Sequence, residues 1–336
     1  MPNATLERLF SLCDGFRSAA LVQFAHRAGL WPHLAEGSSA ATLALTMGWN
    51  ERRTVILLRA LAAERLCDLD ADGITFTLDA DVAPYLLPDS PSYVGDVLEH
   101  SRLQWNLWQS LEAIMSATAP HPLQQDVRLR DDSEASDVFN RAMRQLAGGL
   151  IQDVVSHTVF ADAIRVVDLA GGHGDYLIAV AQAYPRVIGE VWDFASSAEF
   201  AQMSFAQQGL DSRLTFAAID VLALTDPPRS DADAVMVNDC LHYFDGEGMR
   251  QVLRVAEAAT KPGGAVSIVT PWLECGGIEP AGTAGFSFYM MVNAYSGGVH
   301  TVPEVIAAME DVGLSEIDVA RVGELDDSAH IVGRSN

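Results

Sequence analysis

The sequence predicts an α/β protein: a doubly wound, mostly parallel sheet in the C-terminal half, preceded by a mainly helical N-terminal region. Three observations predict it. From residue 164 onward, short β-branched runs alternate with helical patterns, the signature of βαβ units with right-handed crossovers. The first run leads into Ala170-Gly-Gly-His-Gly174, a turn whose glycines let the backbone approach a ligand closely. Three successive runs carry aspartates at or near their ends, Asp168, Asp193 and Asp220. Open α/β sheets place their ligands at the carboxyl ends of the strands.

The remaining sequence agrees with that frame. A length of 336 residues suggests two domains. With 49% hydrophobic and 20% charged residues, a large core is available. The net charge of −24 argues against neutralising nucleic-acid phosphates and against docking on an anionic membrane. Cys13, Cys67, Cys240 and Cys275 are widely spread with no C-x-x-C pair, which excludes the usual zinc-finger and disulfide scaffolds. The N-terminus lacks a basic segment followed by an apolar one, and no apolar run reaches the ~18 residues of a membrane span. A cytoplasmic protein is the expectation.

In chain order, residues 7–35 read as helix, with an apolar face of Phe10, Phe16, Ala20, Leu21, Phe24 and Ala28 and a stop at Gly29. Short helices follow from Thr42, ending at Gly48, and from Glu51 to about Leu66, with Asn50 as cap. Asp72-Gly73 between two alternating runs predicts a hairpin. Helices followed by such a wing form a winged-helix pattern, here without a basic recognition helix, which favours packing or dimerisation over DNA binding. Residues 91–115 and 134–158 read as helices, separated by a proline-containing loop over 120–132. The strands are Ile164–Leu169, Val187–Asp193, Leu214–Ile219, Ala234–Asn238 and Ala265–Thr270, the last after a Lys261-Pro-Gly-Gly turn.

The glycine turn differs from a dinucleotide loop. Asp168 lies three residues before the first glycine and Asp175 follows the last, which is poor placement for a pyrophosphate. It suits a ligand carrying an ammonium and a sulfonium. Asp193 stands about 20 residues past the loop, where an acid can meet ribose hydroxyls. Asp220 is placed for the exocyclic amine of adenine. No G-K-[ST] is present, against a P-loop.

With Asp168-Leu-Ala-Gly-Gly-His-Gly174, Asp193, Asp220, Leu241-His-Tyr-Phe-Asp245, Lys261-Pro-Gly-Gly264 and Phe139-Asn-Arg-Ala-Met143, the chain resembles a family of bacterial and plant O-methyltransferases over nearly its whole length. That family joins a winged-helix dimerisation domain to a Rossmann-like class I domain with a seven-stranded sheet that binds S-adenosylmethionine (SAM). The resemblance implies a dimerisation domain over 1–115, linking helices covering the site over 116–160, and a SAM-binding domain over 161–336. It implies that Asp168, Gly171, Gly172, Gly174, Asp193, Asp220, Val221 and Asn238 hold the cofactor. Phe139, Met143 and Met290 would line the substrate site, the helix of Phe139 and Met143 covering the cofactor. A small-molecule substrate of secondary metabolism, such as antibiotic biosynthesis, and a homodimer are further implications.

In such enzymes the histidine at the position of His242 removes a phenolic proton, a task suited to a group of ordinary pKa near ~6.5. The chain departs from the pattern. His-Asp-Trp becomes His242-Tyr-Phe, the strand that ends in a helper Glu ends in Ser267-Ile-Val-Thr270, and Gly-Gly-x-x-Arg-Thr becomes Gly297-Gly-Val-His300-Thr. Two imidazoles at one site suggest a metal. They resemble the metal-dependent α-keto acid C-methyltransferases, in which two histidines hold iron or zinc. The leading expectation is therefore β-carbon methylation of a small 2-oxo acid through a metal-stabilised enolate, with His242 and His300 as ligands. A metal-bound hydroxide or a nearby carboxylate, Asp239 or Glu274, would then be the base, and Arg128 or Arg130 would pair with the substrate carboxylate. The alternative is metal-independent O-methylation of a phenol or enol with His242 as base. Trp105, Trp108, Phe286, Phe288, Tyr289, Met290 and Met291 are candidate pocket walls.

Overall fold

The computed structural model describes residues 4–323 and 327–336. The chain divides into two compact units, Met1–Leu103 and Gln104–Asn336.

The first unit runs α1 (Ala4–Arg27), α2 (Leu30–Ala35), β1 (Ser38–Ser39), α3 (Ala40–Met47), α4 (Glu51–Ala63), β2 (Cys67–Leu69), β3 (Thr75–Leu78), α5 (Ala83–Leu86) and α6 (Gly95–Leu103). The helix expected over 7–35 is broken at Gly29, whose φ of 67° is the left-handed conformation that ends a helix. Asn50 caps α4 by accepting from Arg53 N at 3.1 Å. Asp72 shapes the hairpin by accepting from Ile74 N and Thr75 N, both at 2.8 Å. The three strands form one small sheet in the order β1-β3-β2. Leu30, Trp31, Leu34, Leu43, Leu58 and Leu61 pack as its core. Each such burial contributes roughly 1.5–3 kcal/mol.

The second unit opens with α7 (Trp105–Trp108), α8 (Leu111–Met115), α9 (Gln125–Asp131) and α10 (Ser133–Val155). The single helix expected over 91–115 is thus three segments, and the unit boundary falls between the first two. The loop expected over 120–132 contains α9. Two buried glutamines tie it down: Gln124 donates to Val292 O at 3.2 Å and Gln125 to the Tyr243 hydroxyl at 2.6 Å. Buried polar residues at the start of this helix give the segment the polar composition of a loop.

The doubly wound part follows as β4 (Arg165–Leu169), α11 (Asp175–Ala183), β5 (Ile188–Asp193), α12 (Ala198–Gln207), β6 (Leu214–Ala218), β7 (Ala232–Asn238), α13 (Gly246–Ala259), β8 (Thr260–Pro271), α14 (Ala281–Asn293), α15 (Val302–Asp311), β9 (Leu314–Val322) and β10 (Ser328–Ser335). The seven-stranded sheet has the order β6-β5-β4-β7-β8-β10-β9, and only β10 pairs antiparallel with its neighbours. The expected α/β class and mostly parallel sheet are present. Lys261-Pro-Gly-Gly forms a bulge inside β8 rather than a turn before it, since the pairing skips from Ala232↔Thr260 to Ala234↔Ala265. Apolar clusters fill both faces of the sheet. β4 lies between β5 and β7, so strand order reverses there. A ligand crevice is expected outside the carboxyl ends of those three strands.

Candidate active site

The end of β4 begins the site. Asp168 is fully buried, and neither carboxylate oxygen has a hydrogen-bond partner. Burial, and then Asp193 nearby, hold its pKa well above the usual carboxylate range. A buried carboxylate without a partner is costly, so this position favours a proton or a cationic ligand. The glycines keep the approach open. A Cβ on Gly171 would collide with the Asp168 carboxylate, and one on Gly174 would lie 2.7 Å from the Phe205 ring. Gly172 and Gly174 also take φ of 48° and 76°.

Asp193 is oriented by backbone at the end of β5. Its oxygens accept from Gly172 N at 2.7 Å and Phe194 N at 2.6 Å. Burial raises its pKa, and those two backbone donors oppose the rise. Past β6, Asp220 accepts from Leu222 N at 3.1 Å and from Arg130 at 2.5 Å. The Arg130 guanidinium lies 4.6 Å over the Phe194 ring. Val221 is buried in the core beside it. At the end of β7, Asn238 is buried with both amide atoms unpartnered. A glycine cradle, an unpaired buried carboxylate and an unpaired buried amide fit a cationic adenosyl cofactor, which Asp168, Gly171, Gly172, Gly174, Asp193 and Asn238 could hold.

The acceptor side follows β7 directly. A short 3₁₀ turn, Leu241–Tyr243, carries His242, which is 6% exposed with Nδ1 unpartnered. Its ring stands 5.1 Å from the Tyr243 ring and 5.1 Å, edge to face, from Phe286. Phe286 stacks on Tyr289 at 5.5 Å, and Trp108 lies 6.3 Å from Tyr289. Burial, then His300, lower the His242 pKa to about 3, so the imidazole is neutral at physiological pH. Gly298 N donates to His242 O at 2.9 Å, tying the turn before His300 to this residue.

The expected metal centre does not fit this donor set. His300 has its Nε2 on the Phe244 carbonyl at 2.9 Å. No group of three or more His, Cys, Asp or Glu with metal-binding geometry occurs among the described residues. Glu274 pairs with Arg321 at 3.4 Å at an exposed position, and that guanidinium lies 4.0 Å over the Trp272 ring. Asp239 is no free base either. Its φ of 50° and its N–H bond to Val269 O at 2.9 Å accompany a side chain held by the Tyr176 hydroxyl, which donates to it at 2.9 Å. Burial raises the Asp239 pKa to about 6 and the Tyr176 bond opposes this. Arg128 pairs with Asp132 at 3.4 Å within its own segment. Phe139 and Met143 are half-buried on α10, while Met290 is buried on α14.

Several side chains here escaped sequence reasoning. Tyr176 closes on Asp239. Gln104 donates to Tyr289 at 2.6 Å, and Gln125 reaches Tyr243. Asn140 sits buried over the glycine turn. Only Asn140 left a trace, since it lies inside the Phe139–Met143 segment and shares a helix face with Ser136 and Arg144 at i, i+4 spacing.

The sheet order, the glycine turn and the buried carboxylates define a class I methyltransferase fold. Comparison with known proteins agrees. Residues 124–314 match the family described as O-methyltransferase domain. A solved O-methyltransferase family protein from Burkholderia thailandensis superposes with a TM-score of 0.90 at 33% identity, covering 98% of each chain. The 3-hydroxy-5-methyl-1-naphthoate 3-O-methyltransferase of Streptomyces sahachiroi is 26% identical, over 93% of this chain and 90% of its own. The mitomycin biosynthesis 6-O-methyltransferase of Streptomyces lavendulae is also 26% identical, over 93% and 89%. The chain belongs to the O-methyltransferase domain family. It is a SAM-dependent methyltransferase. The link to α-keto acid C-methyltransferases gains no support from these relatives, which are named for O-methylation.

Proposed function

We propose that the protein methylates a hydroxyl of a small phenolic or enolic molecule in secondary metabolism, with His242 as general base and no catalytic metal. The observation that carries this is the neutral, unpartnered His242 Nδ1 in an aromatic slot. The bound cofactor supplies a methyl group on a positively charged sulfur. Asp168 and Asn238 bind and orient it, and Asp193 faces its ribose. Phe286, Tyr289 and Tyr243 hold a flat acceptor and exclude water. The His242 imidazole takes the proton that the acceptor hydroxyl loses. Burial keeps the imidazole unprotonated and able to accept, and because so low a pKa makes it a weak base, its proton transfer has to be concerted with methyl transfer rather than precede it. The aromatic acceptor named for the naphthoate enzyme fits such a slot.

The test is release of S-adenosylhomocysteine with a panel of phenols, enols and 2-oxo acids, with and without chelator. Turnover of a phenol or enol undiminished by chelator is the expected result. Turnover of a 2-oxo acid alone, abolished by chelator, overturns the proposal and restores the metal reading.

On the same reading, residues 1–115 serve dimerisation, 116–160 cover the site and 161–336 hold the cofactor. The helix α1 exposes Leu6, Leu9, Phe10, Leu12, Phe16 and Phe24, with Leu12 at 70%. An apolar surface of that kind supports a homodimer. Sedimentation of the full chain as a monomer at micromolar concentration would refute it. No helix among the described residues is long and apolar enough to cross a membrane.

A further inference from the structure

We infer that Asn140 binds the ribose of the cofactor together with Asp193, making α10 part of the nucleoside site. The inference rests on the cofactor reading above.

Asn140 is 1% exposed in the middle of α10. Its amide nitrogen donates to Ser136 Oγ at 3.2 Å and Ser197 Oγ at 3.3 Å. Those two hydroxyls fix the amide plane, and Oδ1 faces the other way. That oxygen is buried and has no partner. A buried carbonyl oxygen without a donor costs about 1–3 kcal/mol, so its retention calls for a ligand that donates to it.

Its direction is given by Gly172. A Cβ at Gly172 would lie 3.0 Å from Asn140 Oδ1 and 3.8 Å from Asp193 Oδ2. The two acceptors therefore converge on one bare stretch of backbone. Asp193 is the strand-end acid that meets ribose hydroxyls in sheets of this type. A carboxylate and an amide oxygen side by side match a vicinal diol, which presents two O–H donors. A phosphate or carboxylate ligand would offer only further acceptors there, against both groups.

The same helix face grips the loop at a second point. One turn beyond Asn140, Arg144 makes two 2.7 Å bonds to Asp175, at the start of α11. So α10 meets the turn at Gly172 through Asn140 and at Asp175 through Arg144. Arg144 holds the helix whether or not nucleoside is bound, and Asn140 adds a contact only when it is.

The experiment is calorimetric titration of the full-length protein with S-adenosylhomocysteine and with its 2′-deoxy and 3′-deoxy analogues. Wild type should lose affinity on removal of either hydroxyl. In Asn140→Ala, the dissociation constant for S-adenosylhomocysteine should rise about tenfold, the weight of one buried hydrogen bond. Removing the hydroxyl that Asn140 reads should then cost nothing more, while removing the other remains costly through Asp193. Asn140→Asp, which keeps an acceptor, should retain sensitivity to both hydroxyls. If Asn140→Ala fails to fold, wild type and Asn140→Asp carry the comparison, and indifference of wild type to one of the hydroxyls overturns the inference. A folded Asn140→Ala that binds all three ligands as wild type does also overturns it. The readout is binding, so it does not depend on whether His242 is the base. Wild-type protein that binds no S-adenosylhomocysteine overturns this inference and the cofactor reading together.

Discussion

At the ends of β4 and β5, charge sits on short side chains next to rigid backbone. Asp193 is clamped by two N–H groups, and the Asp168 carboxyl lies directly against Gly171. After β7, the reactive group is a histidine whose surroundings come from distant parts of the chain, Phe286 on α14 and the turn before His300. The cofactor edge is built mainly from strand ends and the turns that follow them, and the acceptor edge is assembled by packing of more distant elements. The first is therefore suited to holding one constant ligand, and the second can be refashioned by exchanging the residues that wall it.

Substitutions at the two edges should separate binding from chemistry. The largest effect belongs to the acceptor edge. His242→Ala is expected to lower kcat by about 10²–10⁴, the usual weight of general base catalysis, with S-adenosylhomocysteine affinity unchanged. His300→Ala should be mild, measured in the same assay. Equal, near-complete loss in both variants would break the distinction drawn here between a base and its neighbour.

Next comes the cofactor edge. Gly171→Ala places a methyl group against the Asp168 carboxylate. Calorimetry should show at least about tenfold weaker S-adenosylhomocysteine binding, since displacing a buried carboxyl group from its ligand costs on the order of 1–3 kcal/mol. If kcat at saturating cofactor fell as far as the affinity, the two edges would be less independent than their construction indicates.

The pH profile gives a smaller signal. An ordinary imidazole base imposes an acid limb near ~6.5 on kcat/KM. Burial lowers His242 to about 3, so the protonated form is absent until far lower pH. At saturating cofactor, kcat/KM for the acceptor should show no limb near 6.5. The linked stability has a definite sign. Between the unfolded value near ~6.5 and the folded value of about 3, the unfolded chain binds the extra proton, so this group's contribution to stability is lost as pH falls through that window. A His242→Gln variant should lose less stability than wild type between pH 6.5 and 4, by chemical denaturation.

The smallest effect is expected at Glu274. Its pair with Arg321 is exposed, and such pairs contribute about 0–1 kcal/mol. Glu274→Ala should leave turnover within about twofold, and a collapse of activity would return Glu274 to the chemistry.

Much of this protein was legible in sequence because the relevant physics is local. Alternating β-branched and helical runs, a glycine turn after the first strand and aspartates at strand ends describe the parallel sheet and its cofactor edge, since each depends on residues a few positions apart. The antiparallel pair β9–β10 was not picked out as strands, because β9 exposes one face and β10 is buried on both, which are different patterns for one ladder. The acceptor edge went astray for a related reason. Two histidines 58 positions apart suggested a metal, but whether they form a donor set depends on where their nitrogens point. Packing turned one Nε2 onto the Phe244 carbonyl, drew Glu274 to Arg321 and buried His242 among aromatic rings. Side-chain direction and desolvation are properties of the assembled interior. The residues alone name the reactive groups, and only the folded chain decides which of them remain unpaired and free to act.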